Sequence, residues 1–246
     1  MTLIDTYISQ ISQKEHADRQ GSTHHCYFFD DYALLKGAFY ESDIKFVIEK
    51  SKELSSKGVE VVPTLEYKKV RDIPNSFFLG FVLQQKAKGT ELYKTSFSRQ
   101  SSNEYYSKIK DLSDKPQRFF DKFASDWMAI CKSGLQIDPS KSSNFFYTPE
   151  GISFIDLCKA NKPKYQEYAF SEAAIVLFNG GSYYHFTKHD QHKIILSKLV
   201  HAFSRQGESM EKMKIMAQRH FPDIANDVFA TVQSMNYVTK NTKERE

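Results

Sequence analysis

Three side chains with hard oxygen atoms, Asp138, Asn144 and Asp156, lie in the segment 134–157, GLQIDPSKSSNFFYTPEGISFIDL. Two apolar runs in it, NFFY and ISFIDL, predict short strands joined by a PEG turn. Asn144 then begins the first strand and Asp156 ends the second. Because a hairpin brings its two ends together, we expect both side chains to converge beside Asp138.

The chemistry of this trio suits phosphates. Carboxylate and amide oxygens are ligands that Mg²⁺ prefers. Phosphoryl transfer needs a metal to neutralise the phosphates and a carboxylate to orient the attacking hydroxyl. The alternative is a polar loop before an ordinary hairpin, since Asp-Pro-Ser is common turn chemistry. The segment taken alone favours neither interpretation.

The first third of the chain predicts strands around one helix. HCYFFDDYALLK (25–36) predicts a hairpin with Asp30-Asp31 at its turn. ESDIKFVIEKSKELSSK (41–57) predicts an amphipathic helix that ends at Gly58. Two further strands, VEVVPTLEYKKV and SFFLGFVLQQ, are separated by RDIPN.

The remainder predicts mainly helices. The composition becomes more polar at KAKGTELYKT (86–95), which indicates a linker. Residues 115–133 carry large apolar side chains at helical spacing. Further helices are predicted near 168–178, 189–205, 208–219 and 222–235. The histidines of HFTKHDQH (His185, His189 and His192) are interpreted as surface residues, because a zinc site usually needs a further ligand and Asp190 is the one obvious candidate nearby.

This order of elements resembles the protein-kinase-like fold, which includes eukaryotic-type protein kinases and aminoglycoside or choline phosphotransferases. The family's loop reads His-x-Asp-x-x-x-x-Asn, followed by a strand and Asp-Phe-Gly or Ile-Asp-Phe. Here Gln136-Ile137-Asp138, Asn144 and Ile155-Asp156-Leu157 occupy those places. The resemblance implies Asp138 as the catalytic base and Asn144 and Asp156 as Mg²⁺ ligands. Gln136 replaces the histidine, and the gap before Asn144 is one residue longer, so Ser142 or Ser143 is an alternative ligand.

The same resemblance implies the nucleotide contacts. Lys36 is expected to hold the α- and β-phosphates, with Glu49 of the following helix, or Glu53 one turn on, as its partner. Gly21 and Ser22 stand where the family has its phosphate-covering loop. The remaining expected nucleotide contacts lie in the hinge between lobes, where backbone groups meet the adenine: Gln84, Gln85, Lys86 and Ala87.

The implied architecture is α+β and bilobal. A small antiparallel-sheet N-lobe with one key helix spans 1–88, and a mainly helical C-lobe spans 89–246. The implied activity is ATP- and Mg²⁺-dependent phosphoryl transfer to a hydroxyl of a small molecule or a protein. Only CKANKPKYQEYAF follows Ile155-Asp156-Leu157 before the next helix. Such a short segment indicates a small, unregulated kinase, either a bacterial small-molecule kinase or a minimal effector-type protein kinase.

Two other functions remain open at this point. A pseudokinase that binds nucleotide or a partner without catalysis is suggested by two features. The histidine of the family's catalytic loop is missing, and Gly21 is the single glycine where the family has its phosphate-covering loop. A basic adaptor protein with an unrelated α+β fold is the weaker alternative.

The composition limits the kinds of partner that we expect the protein to bind. The 246 residues are 40% hydrophobic and 26% charged, enough for a sizeable core. Lys plus Arg is 34 against 30 for Asp plus Glu, and the lysines are scattered, so no nucleic-acid partner is expected. Three separated cysteines, with no secretory signal or apolar span, predict a cytoplasmic protein, with export as an effector left open.

Overall fold

The computed structural model describes residues 1–11, 14, 16–20, 24–74, 77–93, 102–160, 165–178 and 190–243. The chain packs as two compact units. The first contains Met1–Gly89, Ser133–Ile137 and Ser153–Asn161. The second contains Thr90–Lys132, Asp138–Ile152 and Lys162–Glu246. The predicted lobe bounds of 1–88 and 89–246 stay a prediction.

The described helices and strands follow the predicted order closely. The helices are α1 Leu3–Ile11, α2 Glu41–Ser56, α3 Ser102–Asp114, α4 Gln117–Lys132, α5 Tyr165–Leu177, α6 Asp190–Arg205, α7 Met210–His220 and α8 Pro222–Lys243. The strands are β1 Arg19–Gln20, β2 His24–Phe28, β3 Tyr32–Tyr40, β4 Thr64–Ile73, β5 Phe77–Gln85, β6 Thr90–Glu91, β7 Leu135–Gln136, β8 Phe145–Tyr147, β9 Ile152–Phe154 and β10 Cys158–Lys159.

The first unit is built on a five-stranded antiparallel sheet in the order β1-β2-β3-β5-β4. Its centre is the regular pairing of β3 with β5, which runs from Tyr32 opposite Gln85 to Tyr40 opposite Phe77. Because side chains alternate along a strand, this pairing assigns each residue to one of two faces. Strand β2 pairs antiparallel with β3, which confirms the predicted hairpin over 25–36 with Asp30 and Asp31 at its turn.

Each face of the sheet packs against one helix. On the α1 face, Ile4 of α1 packs with the strand residues Leu34, Phe81 and Leu83. The α2 face carries a second buried cluster that packs against Ile44 of α2, and its members are Phe39, Phe78 and Val82. The two helices thus cover opposite sides of one sheet.

Helix α2 confirms the helix predicted for 41–57. Its buried side chains Val47 and Leu54 recur at helical spacing and face the sheet. The helix ends where Gly58 adopts a φ of 78°, a conformation that glycine takes without steric cost. Val59 N then donates a hydrogen bond to Leu54 O at 3.1 Å, which turns the chain back toward β4.

A buried hydroxyl ties α2 to the start of β4. Ser51 is fully buried, and its Oγ accepts a hydrogen bond of 3.1 Å from Thr64 N. We expect Ser51→Ala to lower the free energy of unfolding by about 1–3 kcal/mol, because the buried Thr64 N–H loses its acceptor. Denaturant titration measures the change. Ser56→Ala on the exposed surface of the same helix is the matched control and should cost less than about 0.5 kcal/mol. Equal losses in both variants would contradict this role of Ser51.

The second unit is mainly helical. Its core includes the α4 side chains Phe120 and Phe123, both buried, and a similar row on α6. Lys198 of α6 donates hydrogen bonds to the carbonyl oxygens of Ser113, at 2.8 Å, and of Lys115. A cation at this position stabilises the C-terminal end of α3, where carbonyl groups lack partners. No described helix is long and apolar enough to cross a bilayer.

Three boundaries differ from the prediction. Strand β4 begins at Thr64 rather than at Val59, because residues 60–62 pair with Phe154 instead. The predicted linker 86–95 contains β6, whose Thr90 lies opposite Tyr147. Strand β9 ends at Phe154, so Asp156 lies beyond the strand rather than at its last position.

Candidate functional site

Asp156 adopts an unusual backbone conformation. Its φ is 57°, and among the described residues it is the one non-glycine residue with a positive φ. Such a conformation costs on the order of 1–3 kcal/mol and persists only where the surroundings impose it. Strain of this kind clusters at functional sites, so the angle marks Asp156 independently of any motif.

Backbone hydrogen bonds on both sides impose this conformation. Before Asp156, Phe154 N donates to Glu60 O at 2.8 Å, and Val62 N donates to Phe154 O at 2.9 Å. After it, β10 pairs with β7, and Ala160 N donates to Gly134 O at 2.8 Å. Residues 155–157 therefore link two anchored ends. The Asp156 carboxylate is exposed, and it makes no hydrogen bond or ion pair with any residue that the structure describes.

Asp138 and Asn144 lie together in the second unit. Asn144 is buried in a 3-10 turn, Ser142–Asn144, and its Nδ2 donates to the backbone oxygen of Asp138 at 3.5 Å. The Asp138 carboxylate is exposed, and its Oδ1 accepts hydrogen bonds from Ser140 N at 3.0 Å and Ser140 Oγ at 2.6 Å. The predicted convergence of Asp156 with these two side chains stays a prediction.

Lys141 is a residue that the sequence reasoning missed. Its Nζ lies 3.9 Å from Oδ2 of Asp138, within the same loop. The signal was present as a basic residue three positions after the candidate base. The loop therefore holds an ammonium group, a carboxylate and an amide within a few residues of one another.

Lys36 lies on β3, the second strand of the predicted hairpin. It is directly opposite Phe81 on β5, and its Nζ is 6.0 Å from the Phe81 ring centroid. Phe81 belongs to the α1 face, so the exposed Lys36 side chain lies on the side of the sheet away from α2. Leu35, the preceding residue, is the one that packs on the α2 face.

The predicted ion pair between Lys36 and Glu49 is wrong for the same reason. Glu49 is on α2, its side chain is 72% exposed, and its Oε1 lies 3.4 Å from Lys50 Nζ. Glu53, the alternative partner, forms ion pairs with Lys50 at 2.9 Å and with Lys57 at 2.5 Å. Hydrogen bonds from these two lysines lower the pKa of Glu53 to about 2. Both carboxylates therefore pair within their own helix or its end.

Two of the predicted hinge residues donate their backbone N–H groups to other parts of the chain. Gln85 N donates to Pro63 O at 3.0 Å, and Lys86 N donates to Asp31 O at 2.8 Å. These two N–H groups are therefore not available to an adenine, and the predicted contact between hinge backbone groups and the adenine stays a prediction. Gln84 is buried, whereas Gln85 and Lys86 have exposed side chains. Gly21 and Ser22 lie outside the described residues.

No protein-family model matches this chain, and no curated protein matches it. One similar solved structure is WaaP in complex with acyl carrier protein, at 10% identity and a TM-score of 0.48, covering 90% of this chain and 92% of that chain. Another is a mutant PAN3 pseudokinase from Neurospora crassa, at 11% identity and a TM-score of 0.40, covering 100% of this chain and 74% of that chain.

Within the chain itself, an antiparallel sheet with one helix between β3 and β4 is followed by a mainly helical unit, which confirms the predicted α+β class. A fold of this class does not by itself specify a function, which depends on the residues of the site.

One of the three histidines of HFTKHDQH, His192, lies within the described residues. The interpretation of His192 as a surface residue is wrong, because it is fully buried and its Nε2 shares a 3.1 Å hydrogen bond with Tyr105 OH. Its ring also stacks on Tyr105, with centroids 6.0 Å apart. His185 and His189 lie outside the described residues. Within the described ranges, no three His, Cys, Asp or Glu side chains cluster as metal ligands would.

Proposed function

We propose that the protein is a kinase-like phosphotransferase that transfers the γ-phosphate of ATP to a hydroxyl group. The observation that carries this proposal is the backbone of Asp156, held at a φ of 57° with an exposed carboxylate. A fold that maintains a strained aspartate between two anchored segments gains no packing from it. Presentation of the carboxylate to a ligand explains why the strain is kept.

The side chains present suit Mg²⁺. Asp156 offers carboxylate oxygens and Asn144 an amide oxygen, which are hard ligands for this cation. Because an Asn144 N–H already donates to Asp138 O, the amide oxygen remains as an acceptor for a metal. Asp156 and Asn144 are the proposed metal ligands. When bound, Mg²⁺ would neutralise charge on the nucleotide's phosphates.

Asp138 is the proposed base. Ser140 holds its Oδ1 through two hydrogen bonds, which leaves Oδ2 to orient an acceptor hydroxyl. Lys141, 3.9 Å from Oδ2, adds positive charge next to the place where a phosphate would be transferred. The acceptor is proposed as a hydroxyl of either a small molecule or a protein.

A second candidate is a kinase-like protein that binds a nucleotide or a partner without catalysis. The observation that favours it is the position of Lys36 on the face away from α2, with Leu35 in its place on the α2 face. A phosphate-holding lysine paired with a helix carboxylate is therefore not formed by the predicted residues. Catalysis then depends on the Asp138 loop and Asp156.

Asp138→Asn separates the two candidates. For a catalyst we expect this variant to keep its affinity for Mg²⁺ and ATP within about twofold while turnover falls by about a hundredfold, because the amide cannot accept the hydroxyl proton. Calorimetric titration and release of labelled phosphate measure the two quantities. Asp114→Asn, an exposed carboxylate in the same unit, is the control. Wild-type protein that binds the nucleotide but never turns it over would favour the second candidate.

A further inference from the structure

Part of the α1 face of the sheet is not covered by α1. The helix packs on the rows that contain Leu34 and Leu83. Farther along β3 and β5 the same face continues with Ala38 opposite Leu79 and Tyr40 opposite Phe77. We call this surface the open face, and its residues are Lys36, Ala38, Tyr40, Arg71, Phe77 and Leu79.

The open face has an accessible apolar centre. Ala38 is exposed, Tyr40 is 44% exposed, and Leu79 and Phe77 are half-buried. The rings of Tyr40 and Phe77 lie against each other, with centroids 3.6 Å apart. A contiguous apolar surface of this kind on a regular sheet is typical of a site that another chain covers.

Two cations flank this centre. Lys36 is on β3, and Arg71 of β4 is opposite Leu79, so both belong to the open face. Neither forms an ion pair with a carboxylate in the part of the chain that the structure describes. Lys68, which lies on the same face nearer to α1, is different because it pairs with Asp5. The open face thus carries positive charge that the described fold does not neutralise.

We propose that the open face binds an acidic amphipathic helix of a partner protein. The apolar centre would receive the helix's hydrophobic side chains, and Lys36 and Arg71 would meet its carboxylates. A nucleic acid fits less well. The formal net charge is only +4, and the tilted rings of Tyr40 and Phe77 lie against each other rather than offering separate platforms for bases.

Binding of a designed peptide tests this surface. The probe is a fluorescently labelled peptide of about 18 residues with leucine on one helical face and glutamate on the other. Fluorescence anisotropy should show saturable binding that weakens as salt is raised. The double variant Lys36→Glu/Arg71→Glu should raise Kd by at least about tenfold, since like charges then face the peptide. Asp156→Asn should bind as the wild type does.

Matched controls make the result specific. Lys110→Glu, an exposed site on α3, should leave Kd within about twofold. A scrambled peptide of the same composition should bind more weakly than the amphipathic one. The proposal is overturned if the wild type does not bind the amphipathic peptide, or if the double variant binds it equally well. Tighter binding of a single-stranded oligonucleotide, lost in the double variant, would overturn it in favour of nucleic acid.

Discussion

Asp156→Asn is expected to lower ATP-dependent phosphoryl transfer by about a hundredfold or more while the protein stays folded. Asparagine has nearly the same shape and tolerates a positive φ, so the backbone conformation at 57° can be kept. What changes is the negative charge offered to Mg²⁺. Initial rates with labelled ATP over a range of Mg²⁺ concentrations measure the effect, and a thermal melt verifies the fold.

A second variant separates the effect of the Asp156 carboxylate charge from the effect of its backbone strain, and a third variant is the control. Asp156→Gly should also lose turnover, yet its free energy of unfolding should stay unchanged or rise by up to about 1 kcal/mol, because glycine adopts a positive φ without steric cost. Asp72→Asn, at an exposed site on β4 of the same unit, should keep full turnover. If Asp156→Asn turned over ATP at the wild-type rate, the proposed role of this residue would be wrong.

Phe154→Ala is expected to cause one of the largest losses of stability in the first unit, about 3–5 kcal/mol. The side chain is fully buried at the end of β9, and its removal leaves a cavity that neighbouring groups fill only in part. The same residue anchors the segment before Asp156 through its bonds to Glu60 and Val62. Denaturant titration measures the loss, and nucleotide turnover should fall with it.

Phe28→Ala is the matched control for this variant. Phe28 is also an aromatic residue on a strand of the first unit, but it is 36% exposed. Less apolar surface returns to water when it is truncated, so the loss should be less than half of that at Phe154. Similar losses in the two variants would show that burial does not explain the importance of Phe154.

Several elements could be predicted because local physics suffices for them. Helix α2 has apolar residues at helical spacing and a glycine at its end, and Gly58 has the positive φ that this position needs. The hairpin around Asp30-Asp31 follows from two apolar runs flanking a polar turn. Strand ends were less predictable, since β4 begins only where pairing with β5 begins.

The position of Lys36 could not be predicted from its neighbours. Leu34 and Leu35 are both apolar, so the alternation that normally identifies the two faces of a strand is absent from YALLKG. The pairing of β3 with β5, and the packing of α1 and α2 on opposite faces, decide that Lys36 lies away from α2. His192 is a similar case, because only tertiary packing brings it against Tyr105.

The sequence by itself determined which residue types are available for the proposed phosphate chemistry, because residue type and order along the chain are local properties. It predicted Asp138, Asn144 and Asp156 as site residues, together with the helix and strands around them. The tertiary structure decided which groups meet. It holds Asp156 at a positive φ between two hydrogen-bonded segments and places Lys36 on the open face. It also brings the Asn144 side chain within hydrogen-bond distance of the Asp138 backbone oxygen. Strand register and the choice of face depend on contacts between residues far apart in sequence, which a local pattern does not contain.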